Sequence, residues 1–206
     1  DYQTTVPFRA DICLSSLTLQ FKCAILFGIG LTTLSMSILD SFSLTGKIAL
    51  VTGASVGLGQ GMALALAEAG ADVACHCLNS GEANATVAKI EALGRRAVSI
   101  AGDMSDKETP KRVVADVISA FGRIDILINN AGMIRRTPAV DFSEEDWSTV
   151  IEVNLSSVFR TSQAAGRHMI EQGSGKIVNI ASLLSFQGGI TVPAYTASKS
   201  GVAGVT

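Results

Sequence analysis

From Lys47 onward the hydrophobic pattern alternates between two kinds of segment. Short apolar runs rich in β-branched residues stand at Lys47–Thr52 (KIALVT), Asp72–Cys77, Ala97–Ala101, Ile124–Asn129 (IDILIN) and Lys176–Ile180 (KIVNI). Runs this short and this continuously apolar predict strands buried on both faces. Longer segments of helical character fill the gaps: Leu58–Ala69, stopped by Gly70; Glu82–Leu93, stopped by Gly94; and Asp106–Ala120. Ser143, with Asp146 at the capping-box position, opens a helix that runs past Trp147 towards Gln172, and a further helix begins at Tyr195. Strands alternating with helices predict a doubly wound α/β fold of Rossmann type, its parallel sheet covered on both sides. Ligands of such sheets bind at the carboxyl ends of the strands, which is where the chain's distinctive turns fall.

Composition narrows the class without choosing a chemistry. Of the 206 residues, 48% are hydrophobic and 17% charged, so a large core is available and disorder is not expected. A net charge of −2 with mixed signs offers no basic surface for nucleic acid. Four cysteines, Cys13, Cys23, Cys75 and Cys77, include a pair flanking His76. No second ligand pair follows at zinc spacing, so no metal is expected and the pair reads as buried thiols on a strand in a reducing cytoplasm.

The two ends differ from the middle. Residues 1–35 begin at Asp1 and carry a nine-residue apolar patch, Cys23–Leu31 (CAILFGIGL), too short to span a bilayer. A membrane anchor, a targeting peptide and sequence upstream of a start at Met36 all remain open, the last being favoured over the other two. The catalytic domain is therefore expected over residues 36–206. Thr206 falls inside a predicted helix with no stop signal after it, so the expectation is a domain incomplete at its C-terminus.

Residues 52–59 read TGASVGLG and join the first strand to the first helix. Gly53 permits a tight turn, Gly57 a close backbone approach by a pyrophosphate, and Gly59 close packing of the helix. The N–H groups at the helix start would face the phosphates. This TGxxxGxG spacing resembles that of the short-chain dehydrogenase/reductase family. Asn129–Gly132 (NNAG) after the fourth strand and Asp103 after the third fit the same pattern, although Asp103 also reads as a helix cap. The resemblance implies a nicotinamide dinucleotide held by Gly53, Ser55, Gly57, Leu58, Gly59, Asp103, Asn130, Ala131 and Gly132, with Tyr195 and Lys199 at its nicotinamide end. At the end of the second strand stand Cys77, Leu78 and Asn79, and Val56 lies in the glycine turn. With no cation there to neutralise a 2′-phosphate, NAD is favoured over NADP.

Reduction of a ketone by hydride needs a proton donor at the oxygen. Tyr195 and Lys199 (YTASK) sit at i and i+4 on one helix face, where an ammonium can stabilise a phenolate. Ser182, thirteen residues before Tyr195, and Asn154 complete a resemblance to the family's Asn-Ser-Tyr-Lys tetrad. The resemblance implies Tyr195 as general acid/base and Ser182 as hydrogen-bond partner of the substrate oxygen. It gives Lys199 the task of stabilising the phenolate and holding the nicotinamide ribose, and Asn154 that of supporting a water in the proton relay.

The segments MIRRTPAVDFSEEDW after NNAG and LLSFQGGITVPAYTASK after Ser182 resemble those of family members acting on sugar acids. The implied reaction interconverts 2-dehydro-3-deoxy-D-gluconate, a product of pectin breakdown, and its 2,5-diketo acid. Gluconate oxidation at C5 and reduction of a 3-oxoacyl carrier protein are the alternatives. Arg135 and Arg136 suit a carboxylate, and Gln187 is placed to bond hydroxyls, unless all three are solvated loop residues. A catalytically incompetent nucleotide-binding fragment is the alternative from another class. By resemblance, a longer chain would add further strands, a substrate lid and a homotetramer interface.

Overall fold

A computed structural model describes residues 37–206. The chain divides into two units, residues 1–41 and residues 42–206. Expectations for residues 1–36, including the apolar patch, Cys13 and Cys23, lie outside the described residues. Of the first unit the structure describes residues 37–41, which enter a short 3-10 helix, Ile38–Phe42.

The second unit is built on a five-stranded sheet in the order β3-β2-β1-β4-β5. The strands are β1 Ile48–Val51, β2 Asp72–Cys77, β3 Ala97–Ala101, β4 Ile126–Asn129 and β5 Lys176–Asn179. Every pairing is parallel, with Leu50 opposite both Ala74 and Leu127. The order reverses between β1 and β4, which creates the switch point characteristic of doubly wound sheets.

The helices are α1 Gly57–Glu68, α2 Asn84–Ala92, α3 Thr109–Phe121, α4 Glu144–Ile151, α5 Ser157–Glu171 and α6 Pro193–Val205. Alternate residues of β1 point to opposite faces. Ile48 and Leu50 pack with Val113, Val117, Leu127 and Met169 on the α3 and α5 side. Ala49 and Val51 pack with Ala63, Ala67, Val73 and Ile90 on the α1 and α2 side. Alanines on the buried face of α1 bring that helix close to the sheet, as a turn closing tightly at both ends requires. No helix of the described residues is long and apolar enough to cross a membrane.

Helix boundaries move for local reasons, and the second helix starts at Asn84 rather than Glu82, whose carboxylate closes a turn with Asn79. The third helix starts at Thr109 rather than Asp106. Asp103 and Asp106 spend their carboxylates on turns instead, accepting from Ser105 N at 2.8 Å and Glu108 N at 3.0 Å. The last helix opens at Pro193, two residues before Tyr195, because proline suits a first helical turn. The long helix after Ser143 is broken: Ser143 caps it by accepting from Asp146 N at 3.1 Å, but Glu152–Ser156 forms a π-helical segment between α4 and α5.

Candidate active site

The glycine turn shows three different uses of glycine. Gly53 has φ +65°, and a Cβ there would press on Ala131 Cα at 3.1 Å. Gly57 has φ +60° and faces open space, so its backbone is available to a ligand. Gly59 is packed against the turn itself, and a Cβ there would stand 2.6 Å from Asn130 Nδ2 and overlap the Gly53 carbonyl. Its close contact is therefore with the turn and not with a strand. Val56 supplies no side-chain cap to α1, which leaves the first-turn N–H groups directed outward. Leu58 is 76% exposed beside them.

Neighbouring elements brace this turn. Asn130 Nδ2 donates to the carbonyls of Thr52 at 2.9 Å and Gly53 at 3.1 Å. The backbone N–H groups of Asn130 and Ala131 both donate to Thr52 Oγ1 at 2.9 Å. From α2, Thr86 Oγ1 donates to Ala54 O at 2.9 Å, and from the first turn of α1 Gln60 Nε2 donates to Ser55 O at 3.1 Å. Asn129 Nδ2 ties β4 to the neighbouring strand β5 through Asn179 Oδ1 and to α5 through Ser162 Oγ.

A cavity of about 410 Å³ opens at the carboxyl ends of the strands, lined by Gly53, Ser55, Asp103, Ala131 and Gly132 together with His76, Leu78, Glu82 and Arg135. Its size and position suit one end of a dinucleotide. The open backbone at Gly57, the outward N–H groups and this cavity fit a nicotinamide dinucleotide.

Glu82 and His76 were not singled out by motif. Glu82 accepts from Asn79 N at 3.2 Å and from Asn79 Nδ2 at 2.7 Å. Those two bonds, the side-chain one the larger, hold the carboxyl below its usual range. An acidic group thus reaches the end of β2 from the following turn. The Asn79–Glu82 spacing, like that of a capping box, is the signal that would have found it. His76 is buried on β2, with Nδ1 accepting from Gly53 N at 3.3 Å and Nε2 2.9 Å from Gly102 O. Cys75 and Cys77 are buried free thiols beside it, and burial, with Cys77 adding, pushes the Cys75 thiol up to about 12.

The tetrad positions gather around α6. Lys199 is buried, and its Nζ donates to Ile180 O at 2.5 Å while lying 5.8 Å from the Tyr195 ring centroid. Burial lowers the pKa of this ammonium below that of a free lysine. Ser182 caps the 3-10 turn Leu183–Ser185, its Oγ accepting from Leu184 N at 3.2 Å. Ser185 Oγ donates to Lys199 O at 2.7 Å and so fastens this turn to α6. Asn154 sits in the π-helical segment, fully buried. Its Oδ1 accepts from Met133 N at 2.8 Å, and its Nδ2 donates to Met133 O at 2.9 Å and Ser198 Oγ at 3.3 Å. π-Helical turns are often found at functional sites, and this one clamps the chain just past NNAG to α6.

The three substrate candidates separate. Arg135 borders the cavity and bonds Asp146 Oδ1 at 3.2 Å. Arg136 and Gln187 are exposed and do not border it.

The sequence model of the family described as short chain dehydrogenase matches residues 47–206. A 2-dehydro-3-deoxy-D-gluconate 5-dehydrogenase of Escherichia coli K12 is 55% identical over 170 residues, 82% of this chain and 66% of that protein. The chain thus spans about two thirds of the length of such relatives. A short-chain type dehydrogenase/reductase from Mycobacterium marinum superposes with a TM-score of 0.80 at 36% identity, covering 83% of this chain and 70% of the other. A structure from Agrobacterium tumefaciens described as a 2-deoxy-D-gluconate 3-dehydrogenase with bound NADP has a TM-score of 0.72 at 48% identity, over 80% of this chain and 65% of that one. Sheet order, glycine turn and family match agree: the chain belongs to the short-chain dehydrogenase family.

Proposed function

We propose that the protein is an NAD-dependent oxidoreductase interconverting 2-dehydro-3-deoxy-D-gluconate and its 2,5-diketo acid. The observation that carries this reading is the 55% identity to a relative named for that substrate. The tetrad residues gathered on α6, its flanking turn and the π-helical segment support it.

A bound nicotinamide supplies the acceptor for the hydride that leaves the alcohol carbon. The hydroxyl proton passes to the Tyr195 phenolate oxygen, and the carbon–oxygen bond becomes a carbonyl. Ser182 Oγ already accepts from Leu184 N, so its own O–H is free to donate to the substrate oxygen. Lys199, buried and fixed by Ile180 O, keeps positive charge beside Tyr195 and reaches for the nicotinamide ribose. Asn154 supports the proton relay by fixing Met133 against α6. Arg135, which borders the cavity and pairs with Asp146, is the cation assigned to the sugar-acid carboxylate, in exchange for Asp146.

The preference for NAD rests on Glu82. Its carboxylate is suited to a ribose 2′-OH and opposes a 2′-phosphate. The NADP in the Agrobacterium structure makes cofactor choice a necessary arm of the test. NADH formation is followed with 2-dehydro-3-deoxy-D-gluconate and with D-gluconate, each against NAD and NADP. Turnover of the deoxy keto acid with NAD, lost in Tyr195→Phe while dinucleotide binding persists, is expected. Turnover of gluconate alone overturns the substrate, and turnover with NADP alone overturns the cofactor preference.

A further inference from the structure

We propose that His76 is a positioning residue for the dinucleotide turn, a strut that holds Gly53 against the end of β3 only while its ring is neutral. The inference rests on the reading that this turn binds the dinucleotide.

His76 lies near the end of β2, one strand away from the glycine turn on one side and from β3 on the other. Its ring spans the gap. Gly53 N donates to Nδ1 at 3.3 Å, and Nε2 lies 2.9 Å from Gly102 O. A carbonyl can only accept, so Nε2 carries the proton and Nδ1 is left as the acceptor. The geometry therefore selects one neutral tautomer. His76 is 2% exposed and forms part of the cavity wall, so no water replaces a lost partner cheaply. Gly53 and Gly102 border the same cavity, and the strut therefore sets the separation of its two glycine walls.

Protonation reverses the Nδ1 contact, because an imidazolium has two N–H donors and would then face the Gly53 N–H. The charged groups around the ring do not rescue the cation. Arg112, whose Nη2 donates to Ala101 O at 2.8 Å, opposes it, while Asp103 favours it. Asp103 already accepts from Ser105 N. Glu82 borders the same cavity but is engaged with Asn79, and the adjacent Cys75 and Cys77 are buried thiols. Burial is the largest influence and keeps the ring's pKa below that of free histidine. Dinucleotide affinity is then independent of this group at neutral pH. It weakens by up to tenfold per pH unit once the pH falls below the ring's own titration, as protons compete for the form that binds.

Dinucleotide binding to the full-length protein, read by NADH fluorescence from pH 8 to pH 5, tests this with three proteins. His76→Asn keeps an acceptor near Nδ1 but cannot titrate. It is expected to bind NADH within a few-fold of the parent at pH 8 and to lack the parent's added loss in acid. His76→Phe keeps the ring volume without the acceptor. It is expected to bind about tenfold more weakly than the parent at pH 8, the scale of one lost hydrogen bond to a buried N–H, to show no added loss in acid, and to raise KM for the dinucleotide with kcat nearly unchanged. Nitrogen NMR of the unliganded parent is expected to show the Nε2–H tautomer. Equal acid loss in His76→Asn and the parent, parent-like binding by His76→Phe, or an Nδ1–H tautomer would each overturn the proposal while leaving the dinucleotide reading intact. Failure of the parent to bind NADH or NADPH at any pH overturns both.

Discussion

Gly59 and Gly61 lie two residues apart in α1, and alanine should act on stability with opposite sign at the two. At Gly61 a Cβ meets nothing within 4 Å, so Gly61→Ala gains only the helix preference of alanine, about 0.8 kcal/mol. At Gly59 the same preference applies, but the new Cβ overlaps the Gly53 carbonyl and stands 2.6 Å from Asn130 Nδ2. The obstructing atoms are mainly backbone, itself pinned through Asn130, so the cost belongs at the upper end of overpacking, about 3 kcal/mol. Subtracting the helix gain leaves Gly59→Ala about 2 kcal/mol less stable. For a chain of this size each kcal/mol moves the thermal midpoint by about 2–4 °C. Calorimetry should therefore show Gly61→Ala melting about 2–3 °C above the parent and Gly59→Ala about 4–8 °C below it. Gly59→Ala should also bind NADH more than tenfold more weakly, because relief of the overlap must move the turn. Two shifts of the same sign would refute the packing argument, and a destabilised Gly59→Ala with parental NADH affinity would refute the link from turn to ligand.

Asp125 is buried, and burial alone would raise its pKa. The Arg123 guanidinium, the Ile48 N–H and Lys47 outweigh that and hold it below the usual carboxylate range. A depressed carboxylate pKa contributes stability that is present above the unfolded value of about 4 and lost as pH falls through the folded value. Asp125→Asn is expected to cost about 2 kcal/mol at pH 7 and to flatten urea stability against pH below about 4; a parallel pH profile would count against the assignment. Asn154→Ala removes a fully buried amide and strips the partners from the N–H and carbonyl of half-buried Met133; it is expected to cost about 3 kcal/mol, read as a fall in urea midpoint at unchanged m. Glu82→Gln is expected to narrow the ratio of NAD to NADP kcat/KM by about tenfold, the scale of one charge-assisted hydrogen bond, and an unchanged ratio would remove Glu82 from cofactor choice.

The sheet was legible because parallel strands need apolar residues on both faces. IALV satisfies that over its whole length and ILIN does as far as Asn129, and each is paired on both edges. The glycine turn was legible because its requirements are local: a positive φ at Gly53 and Gly57 and a missing Cβ at Gly59. What escaped the sequence was non-local. Nothing in EVNLS marks a π-helical turn, since the segment is held by contacts between Asn154, Met133 and Ser198 that are distant in sequence. His76 stands in an apolar run, DVACHC, where a histidine reads as core. Only the registry of β2 with β3, and the placing of Gly53 over it, gives the ring its two partners. Asp103 carried two readings, and the helix-cap one fails: Glu108 stands at the cap of α3, while Asp103 closes an earlier turn and borders the cavity.

The site has two separately supported halves, which bears on how its functions divide. The dinucleotide half is cross-braced by Thr52, Asn130 and His76 at the strand ends and by Thr86 from α2. The tetrad half hangs on other attachments: Ser185 to Lys199 O, Lys199 to Ile180 O, and Asn154 to Ser198. The strand feeding the tetrad half, β5, pairs with β4 on one side, and its Val178 is 45% exposed. Asn129 Nδ2 to Asn179 Oδ1, at 2.8 Å, is a side-chain bond joining β4 to β5 at their carboxyl ends, between the two halves. Perturbing Ser185 should therefore displace Ser182 and Lys199 while leaving the glycine turn in place. Ser185→Ala should lower kcat much more than dinucleotide affinity, which Lys199 touches only at the nicotinamide ribose, the reverse of the pattern expected for His76→Phe. If both variants moved affinity and kcat together, the halves would be mechanically one body, and the bracing of each would have to be understood through Asn129.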